Sequence, residues 1–408
     1  MLSDRRSRVK QLFQKVREAV QLLDKWMIFC VIFLQGIGLI MIYSITSITE
    51  YNGTLDEPLK YVVVTLVAIA LGIIAFSAIY AIPYKHFRML GRWAVVINVV
   101  VLVFTLAFGG GPNVRSWIDF GPLSIQPAEF VKIGMAFAVA YLVDVSIQNK
   151  MLEPKKLIPR SFDECRRSYW GIGVYLILCL ALVAMQPDMG MVIIIMSVGL
   201  ITLACSGIRF MTIMKLVGPL IPVVGLIVFV FLATHDYMQD RIELWLNPFV
   251  DVQGLGYQNI MGYTAMALGG LFGVGIGQSK QKYGYVIEPH NDFIVTIIAE
   301  ELGMIVVILI MMVYFFMAMR CYYKAIKCPD LFGSLVLIGI GSIFLIQPAV
   351  NLGGASGALP LTGVTLPFIS YGGSSTLMLF MAMGVYFNIA KHVKRSELKQ
   401  AKRIEERA

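Results

Sequence analysis

The sequence predicts an all-α integral membrane protein. It should have about ten transmembrane helices, both termini on the cytoplasmic side, and a large, partly helical outer loop between helices seven and eight. Three observations predict this. Of 408 residues, 58% are hydrophobic and only 14% charged, with mean hydropathy +0.76; soluble domains carry roughly 25% charged residues. Apolar runs long enough to cross a bilayer core of about 30 Å recur at 26–48, 61–82, 92–108, 128–147, 170–186, 188–206, 210–234, 292–319, 331–350 and 374–391. Finally, 28 of the 34 Lys and Arg residues fall in 1–25, 81–92, 148–169, 207–215, 320–330 and 391–408. These are alternate connections, and the bias places them in the cytoplasm.

Along the chain, residues 1–25 are basic, and Val9, Leu12, Phe13, Val16, Val20 and Leu23 recur at helical spacing. That pattern predicts an amphipathic helix on the inner leaflet. The next apolar run is a full span without a small-residue cleavage site, so no signal peptide is expected. Pro127 suits the first turn of the fourth span, and "QPDMG" separates the fifth from the sixth. A structureless segment as long as 235–291 is unusual, so this outer loop is expected to be partly helical and functional. Residues 26–391 read as one membrane domain, with 392–408 a basic cytoplasmic tail. The net charge of +9 follows topology, which favours contact with membrane lipid over nucleic acid. None of the six cysteines falls in an outer loop, so no structural disulfide is expected, and no spacing matches a zinc site.

Several polar residues need an explanation beyond topology. The stretch "EPHNDFIVTIIAEELG" carries acids into the eighth span. A carboxylate inside a span costs about 2.5–3.5 kcal/mol on insertion scales and normally faces a cavity or a partner. A helix starting near Asp292 would align Asp292, Thr296 and Glu300 on one face. Glu300 and Glu301 would then point about 100° apart, so one can pair while the other lines a cavity. Asp292 has a plainer reading as a charge complementing a helix N-terminus, and Asn291 as an N-cap. Glu129 and Lys132, spaced i, i+3, can form a self-contained pair; alternatively Lys132 faces a phosphate or joins Glu300. Arg115 suits phosphate contact. Trp117 suits either the site or an interfacial anchor. Asp188 reads as part of a tight turn, Arg241 as a loop charge, and His290 as a residue that orients Asp292 or packs locally. "GVGIG" lacks the strand–helix context of a nucleotide loop and reads as backbone flexibility.

"RSWIDFGPLSIQPAEFVK", "QPDMG", "GYQ" at 256–258, "GGLFGVGIGQSKQK", "EPHNDFI" with "IIAEELG", and "LPLTGVTLPFISYGGSS" together resemble the SEDS family of shape, elongation, division and sporulation proteins. They stand in the family's order and cover nearly the whole chain. The resemblance implies a ten-helix peptidoglycan glycosyltransferase that polymerises lipid II, most similar to the division members. It implies inverting displacement of polyprenyl pyrophosphate, with Asp292 as general base although His-Asn-Asp stands where His-Thr-Asp is usual. It also implies substrate contacts by Arg115, Trp117, Glu129, Lys132, Asp188, Arg241, His290, Glu300, Glu301, Ser370 and Ser374. A divalent cation, Mg2+ or Mn2+, held by Asp292 or Glu300 is a further expectation; no organic cofactor is. Expected partners are lipid II, a class B penicillin-binding protein and other divisome proteins, at the septal plasma membrane. A lipid II flippase is a competing class, but no inverted repeat is visible and the polar cluster lies on the outer side rather than at mid-membrane. A non-catalytic scaffold leaves that cluster unexplained.

Overall fold

A computed structural model describes residues 23–49, 59–110, 116–120, 123–148, 162–207, 218, 222, 225, 236–252, 254–286 and 289–406. The expected N-terminal helix lies outside these residues except at its end, and so does the seventh span except for isolated positions.

Helices run in the order α1 (Lys25–Thr49), α2 (Leu59–Ala81), α3 (Phe87–Phe108), a short hairpin of β1 (Ile118–Phe120) and β2 (Leu123–Ile125), α4 (Pro127–Gln148), α5 (Phe162–Ala184), α6 (Met189–Ala204), α7 (Asp236–Leu246), α8 (Leu255–Gly269), α9 (Ile294–Leu302), α10 (Met304–Ile326), α11 (Leu331–Ala355) and α12 (Gly373–Glu405). Among the described residues, α1, α2, α3, α4, α10, α11 and α12 are long and apolar enough to cross a membrane. Gly171–Ala184 of α5 and the whole of α6 form shorter apolar helices. The protein is thus an all-α membrane protein, and α7 and α8 give segment 235–291 the helical content expected of it.

Burial sorts these helices into layers. The most apolar stretch of α2 is 17% buried inside the protein and that of α3 22%, against 67% for α4, 72% for α11 and 83% for α12. The apolar side chains of α2 and α3 therefore face outward, where lipid tails satisfy them. Helices α4, α6 and α11 pack on one another as the core, α12 packs on α2, and α10 packs on α11.

Two boundaries correct the expectation. Span 292–319 is two helices. The chain turns through Asp292 and Phe293, so Asp292, Thr296 and Glu300 do not share one helical face, and the N-cap position of α9 is Phe293, whose side chain makes no capping bond. The second break is Gly303, at φ 87 and ψ 164, a region essentially closed to residues with a Cβ. A Cβ there would lie 2.3 Å from the Leu271 carbonyl oxygen. The break lets Met304 and Ile305 N–H groups donate to Gly270 and Leu271, docking the end of α8 against it. Gly303→Ala is expected to cost at least about 2 kcal/mol, read as a lower thermal midpoint in detergent. The second boundary is the tail: α12 continues unbroken through it to Glu405.

On the face that carries the basic turns, Asp24 ties three helices together. It accepts hydrogen bonds from Arg320 of α10 and Tyr386 of α12. Burial alone would raise its carboxyl, but those bonds and the charges of Arg320 and Lys324 outweigh it and hold Asp24 below the usual carboxylate range.

Candidate functional site

The opposite face, which carries segment 235–291, is organised around the irregular stretch 356–372 between α11 and α12. This stretch does not stay at the helix ends. Gln347, eight residues before the end of α11 and so about 12 Å into it, donates to Thr365 O at 2.9 Å. Asn351, one turn nearer the end, donates to Val364 O at 2.7 Å. Tyr314, well inside α10, donates to Pro367 O. Irregular backbone at that depth persists only where protein groups satisfy it, and these three side chains do so.

Other elements also hold the stretch. Arg241 of α7 donates to Leu361 O at 2.6 Å, and the Trp245 indole to Gly357 O at 2.9 Å. Gly190 at the start of α6 packs so closely that a Cβ there would lie 2.9 Å from Thr362 O. The Ser370 hydroxyl accepts from Leu366 N at 2.8 Å. Ser374 at the head of α12 donates to Ser124 O at 3.0 Å and accepts from Gln126 N at 3.3 Å, so it docks the β-hairpin.

Asp292 is joined to this stretch through Asn351. Its backbone oxygen accepts from Asn351 Nδ2 at 2.8 Å, the same amide that holds Val364. The Cβ position of Gly363, at φ 68, lies 3.9 Å from Asp292 Oδ2. Asp292 is only partly buried. Its neighbour His290 accepts from Tyr371 N at 2.9 Å through its backbone oxygen. The His290 ring packs against Tyr61 and Tyr371 with centroids 4.5 and 5.5 Å away. His290 therefore anchors the Asp292 turn by packing.

Lys132 and Glu129 form the expected ion pair at 2.7 Å, each 2% exposed. Lys132 does not reach Glu300; it donates to Gln347 Oε1 at 2.7 Å. Since Gln347 holds Thr365, the cation supports the re-entrant backbone through one intermediary. Asp188 caps α6 by accepting from Met191 N at 3.1 Å, and also accepts from Gln126 Nε2 at 2.7 Å. Trp117, 39% exposed, bridges Gly110 just before the hairpin. Arg115 lies outside the described residues.

Glu300 and Glu301 do not join this assembly. Glu300 accepts from the Ser279 hydroxyl, from Lys280 N at 2.8 Å and from Gln281 N at 3.4 Å. Glu301 pairs with Lys282 at 2.5 Å, and Ser44 of α1 donates to both its oxygens at 2.9 and 3.0 Å. Both carboxylates are spent on folding turn 279–282 against α9 and α1. The glycines of "GVGIG" at 273, 275 and 277 all have positive φ, as backbone turns do. The Glu300 oxygens are committed to turn 279–281, so Glu300 does not fit as the ligand of a divalent cation. No step below runs through one.

Gln347 and Asn351 went unmarked in the sequence. Two amides four residues apart in an otherwise apolar span were the available signal.

A family model described as cell cycle protein, covering FtsW, RodA and SpoVE, matches residues 25–395. The chain is 37% identical over 392 residues to the probable peptidoglycan glycosyltransferase FtsW of Bacillus subtilis, covering 93% of each. It is 35% identical to stage V sporulation protein E of the same organism, covering 90% of this chain and 97% of that one. Among solved structures, a chain from a peptidoglycan synthase complex that coordinates polymerization and crosslinking superposes with a TM-score of 0.70 at 24% identity, covering 91% of this chain and 98% of the other. The rod shape determining protein RodA of Thermus thermophilus does so with 0.62 at 23%, covering 90% and 96%. The segments that build the re-entrant site all fall within the matched range, and the chain belongs to the FtsW, RodA and SpoVE family.

Proposed function

We propose that this chain is a peptidoglycan glycosyltransferase that polymerises lipid II for septal wall synthesis. The observation that supports it most is the partly exposed carboxyl of Asp292, held by its own backbone beside a re-entrant loop that α6, α7, α10 and α11 brace. Asp292 accepts the proton of the acceptor sugar's 4-hydroxyl as that oxygen bonds to the donor anomeric carbon. The bond from that carbon to the pyrophosphate oxygen breaks, and the leaving group carries the electron pair away. A single displacement inverts the centre and requires no covalent intermediate. Arg241 and Arg115 are assigned to the charge of the departing pyrophosphate. Lys132 with Glu129, through Gln347, and Ser370 hold the loop on which those groups depend, Asp188 and Ser374 hold the segment 124–126 beside it, and His290 holds the turn of Asp292. Trp117, at the exposed edge of the hairpin, is assigned to contact with the substrate.

A class B penicillin-binding protein is the proposed partner, supported by the fold shared with a chain of a synthase complex. The septal plasma membrane, with both termini cytoplasmic, is the proposed location.

Labelled lipid II supplied in detergent tests the reaction. Glycan polymer forming where no membrane separates two compartments supports an enzyme; lipid II left monomeric in the presence of the partner contradicts it. Within this reading, Asn351→Leu removes both hydrogen bonds that join Asp292 to Val364. The expected result is a polymerisation rate at least about tenfold lower, with a stability loss of about 1–3 kcal/mol, measured as initial rate and thermal midpoint.

A further inference from the structure

On the basic face two cavities adjoin. One, of about 580 Å3, is lined by the basic side chains Lys25, Arg320, Lys324, Lys327 and Lys394, and by two acids, Asp24 and Glu397. The acids are engaged by cations of the same wall: Asp24 by Arg320, and Glu397 by Lys327 at 3.4 Å. Among the described residues, five basic side chains against two acidic ones leave the cavity positive. The other cavity, of about 220 Å3, is lined entirely by apolar side chains, Ile32, Ile73 and Phe380 among them.

Leu23 borders both cavities, and two helices run from one into the other. On α12, Phe380, Met383 and Phe387 line the apolar cavity while Ala390, Lys394 and Glu397 line the basic one. Their spacing alternates three and four, so they form one stripe along a single helix face. From 380 to 397 the stripe is about 25 Å long. One bilayer leaflet with its headgroups measures about 20–22 Å. On α1, Trp26 lines the basic cavity and Ile28 and Ile32 the apolar one. Trp26, 64% exposed, sits where interfacial aromatics mark headgroup level.

We propose that this paired cavity binds one anionic glycerophospholipid of the leaflet on the basic face. Its phosphate lies among Arg320, Lys324 and Lys394, and one acyl chain follows the stripe of α12 into the groove beside Ile32 and Ile73. A positive pocket alone would accept any soluble phosphate. The apolar groove that continues it at leaflet length selects a lipid. The assignment is independent of the glycosyl chemistry.

The test uses the full chain in zwitterionic detergent, probed with phosphatidylglycerol, phosphatidylcholine and soluble glycerol 1-phosphate. Retained lipid is read by native mass spectrometry and stabilisation by thermal midpoint. Phosphatidylglycerol is expected to stay bound and raise the midpoint, while phosphatidylcholine and glycerol 1-phosphate do neither. The double variant K324Q/K394Q should weaken phosphatidylglycerol binding by about fivefold for each charge removed. Ile73→Trp, which fills the groove from a lipid-exposed position, should weaken it with every charge intact. K399Q/K402Q, on the exposed extension of α12, should change nothing. Equal binding by K324Q/K394Q and the parent overturns the proposal, as does an equal loss in K399Q/K402Q. Protection by glycerol 1-phosphate matching that of the lipid overturns it in favour of a soluble-anion site. No effect of phosphatidylglycerol at all overturns it in favour of another occupant, such as a protein segment. If K324Q/K394Q fails to fold, Ile73→Trp decides: unchanged binding there is also fatal to the proposal.

Discussion

Asp292→Asn is expected to abolish glycan polymer formation while leaving a folded protein. The substitution keeps the size and polarity of the side chain and removes the one atom type able to take a proton. Positioned general bases contribute on the order of 10²–10⁴ in rate, so activity should fall by about three orders of magnitude. Stability should barely move. A bond that fixes Asp292 in the fold, from Asn351 to its backbone oxygen, is retained in the variant. Gly363 approaches its side chain with no Cβ of its own, so the amide fits the same space. Purified variant and parent, each with the partner transpeptidase, would be compared on labelled lipid II by polymer length and by thermal midpoint. Polymer of normal length and rate from the variant would remove Asp292 from the chemistry. Loss of polymer with loss of fold would show instead that the carboxylate is a structural group.

The second large effect is one of stability. Lys282→Met should destabilise the protein by about 3–5 kcal/mol, the usual cost of leaving one member of a buried ion pair alone. Lys282 and Glu301 have fully buried side chains, and Ser44, which donates to Glu301, also accepts from Lys282 at 2.9 Å. Removing the cation strands Glu301 with only the Ser44 hydroxyl and, at 3.4 Å, the Ser279 N–H. The double variant Lys282→Met with Glu301→Leu should recover most of the loss, because the buried charge disappears with its partner. Thermal midpoints of the four combinations give the coupling directly. Limited proteolysis of residues 270–290 should speed up in the single variant. Additive losses would mean that the two side chains do not act as a pair.

These predictions separate what the sequence makes legible from what it hides. The membrane class and most spans are visible because apolar length against bilayer thickness is a local property. The Glu129–Lys132 pair is also local, since i, i+3 spacing sets it on one helix face. Glu300 and Glu301 illustrate the limit. Their cost inside a span shows that partners must exist, but the partners, Ser279 to Lys282 and Ser44, are 19 to 257 residues away in sequence, and only the tertiary fold finds them. Gly303 is hidden for a similar reason: one glycine in an apolar run fits a helix or a break, and the docking of Gly270 and Leu271 decides. Gln347 and Asn351 escape because a neutral amide in a span raises no charge penalty. Their role follows from loop carbonyls that sequence pattern does not place at that depth.

Helix α12 starts at the braced loop, where Ser374 grips the hairpin, and ends at Glu405 beyond the basic cavity. Thirty-three residues without a proline make a rod about 50 Å long. Such a rod is a lever arm: a tilt of about 5° at its head would sweep its far tip by about 4 Å. Whatever grips the tip, whether headgroup or protein, therefore has mechanical purchase on the opposite side of the bilayer.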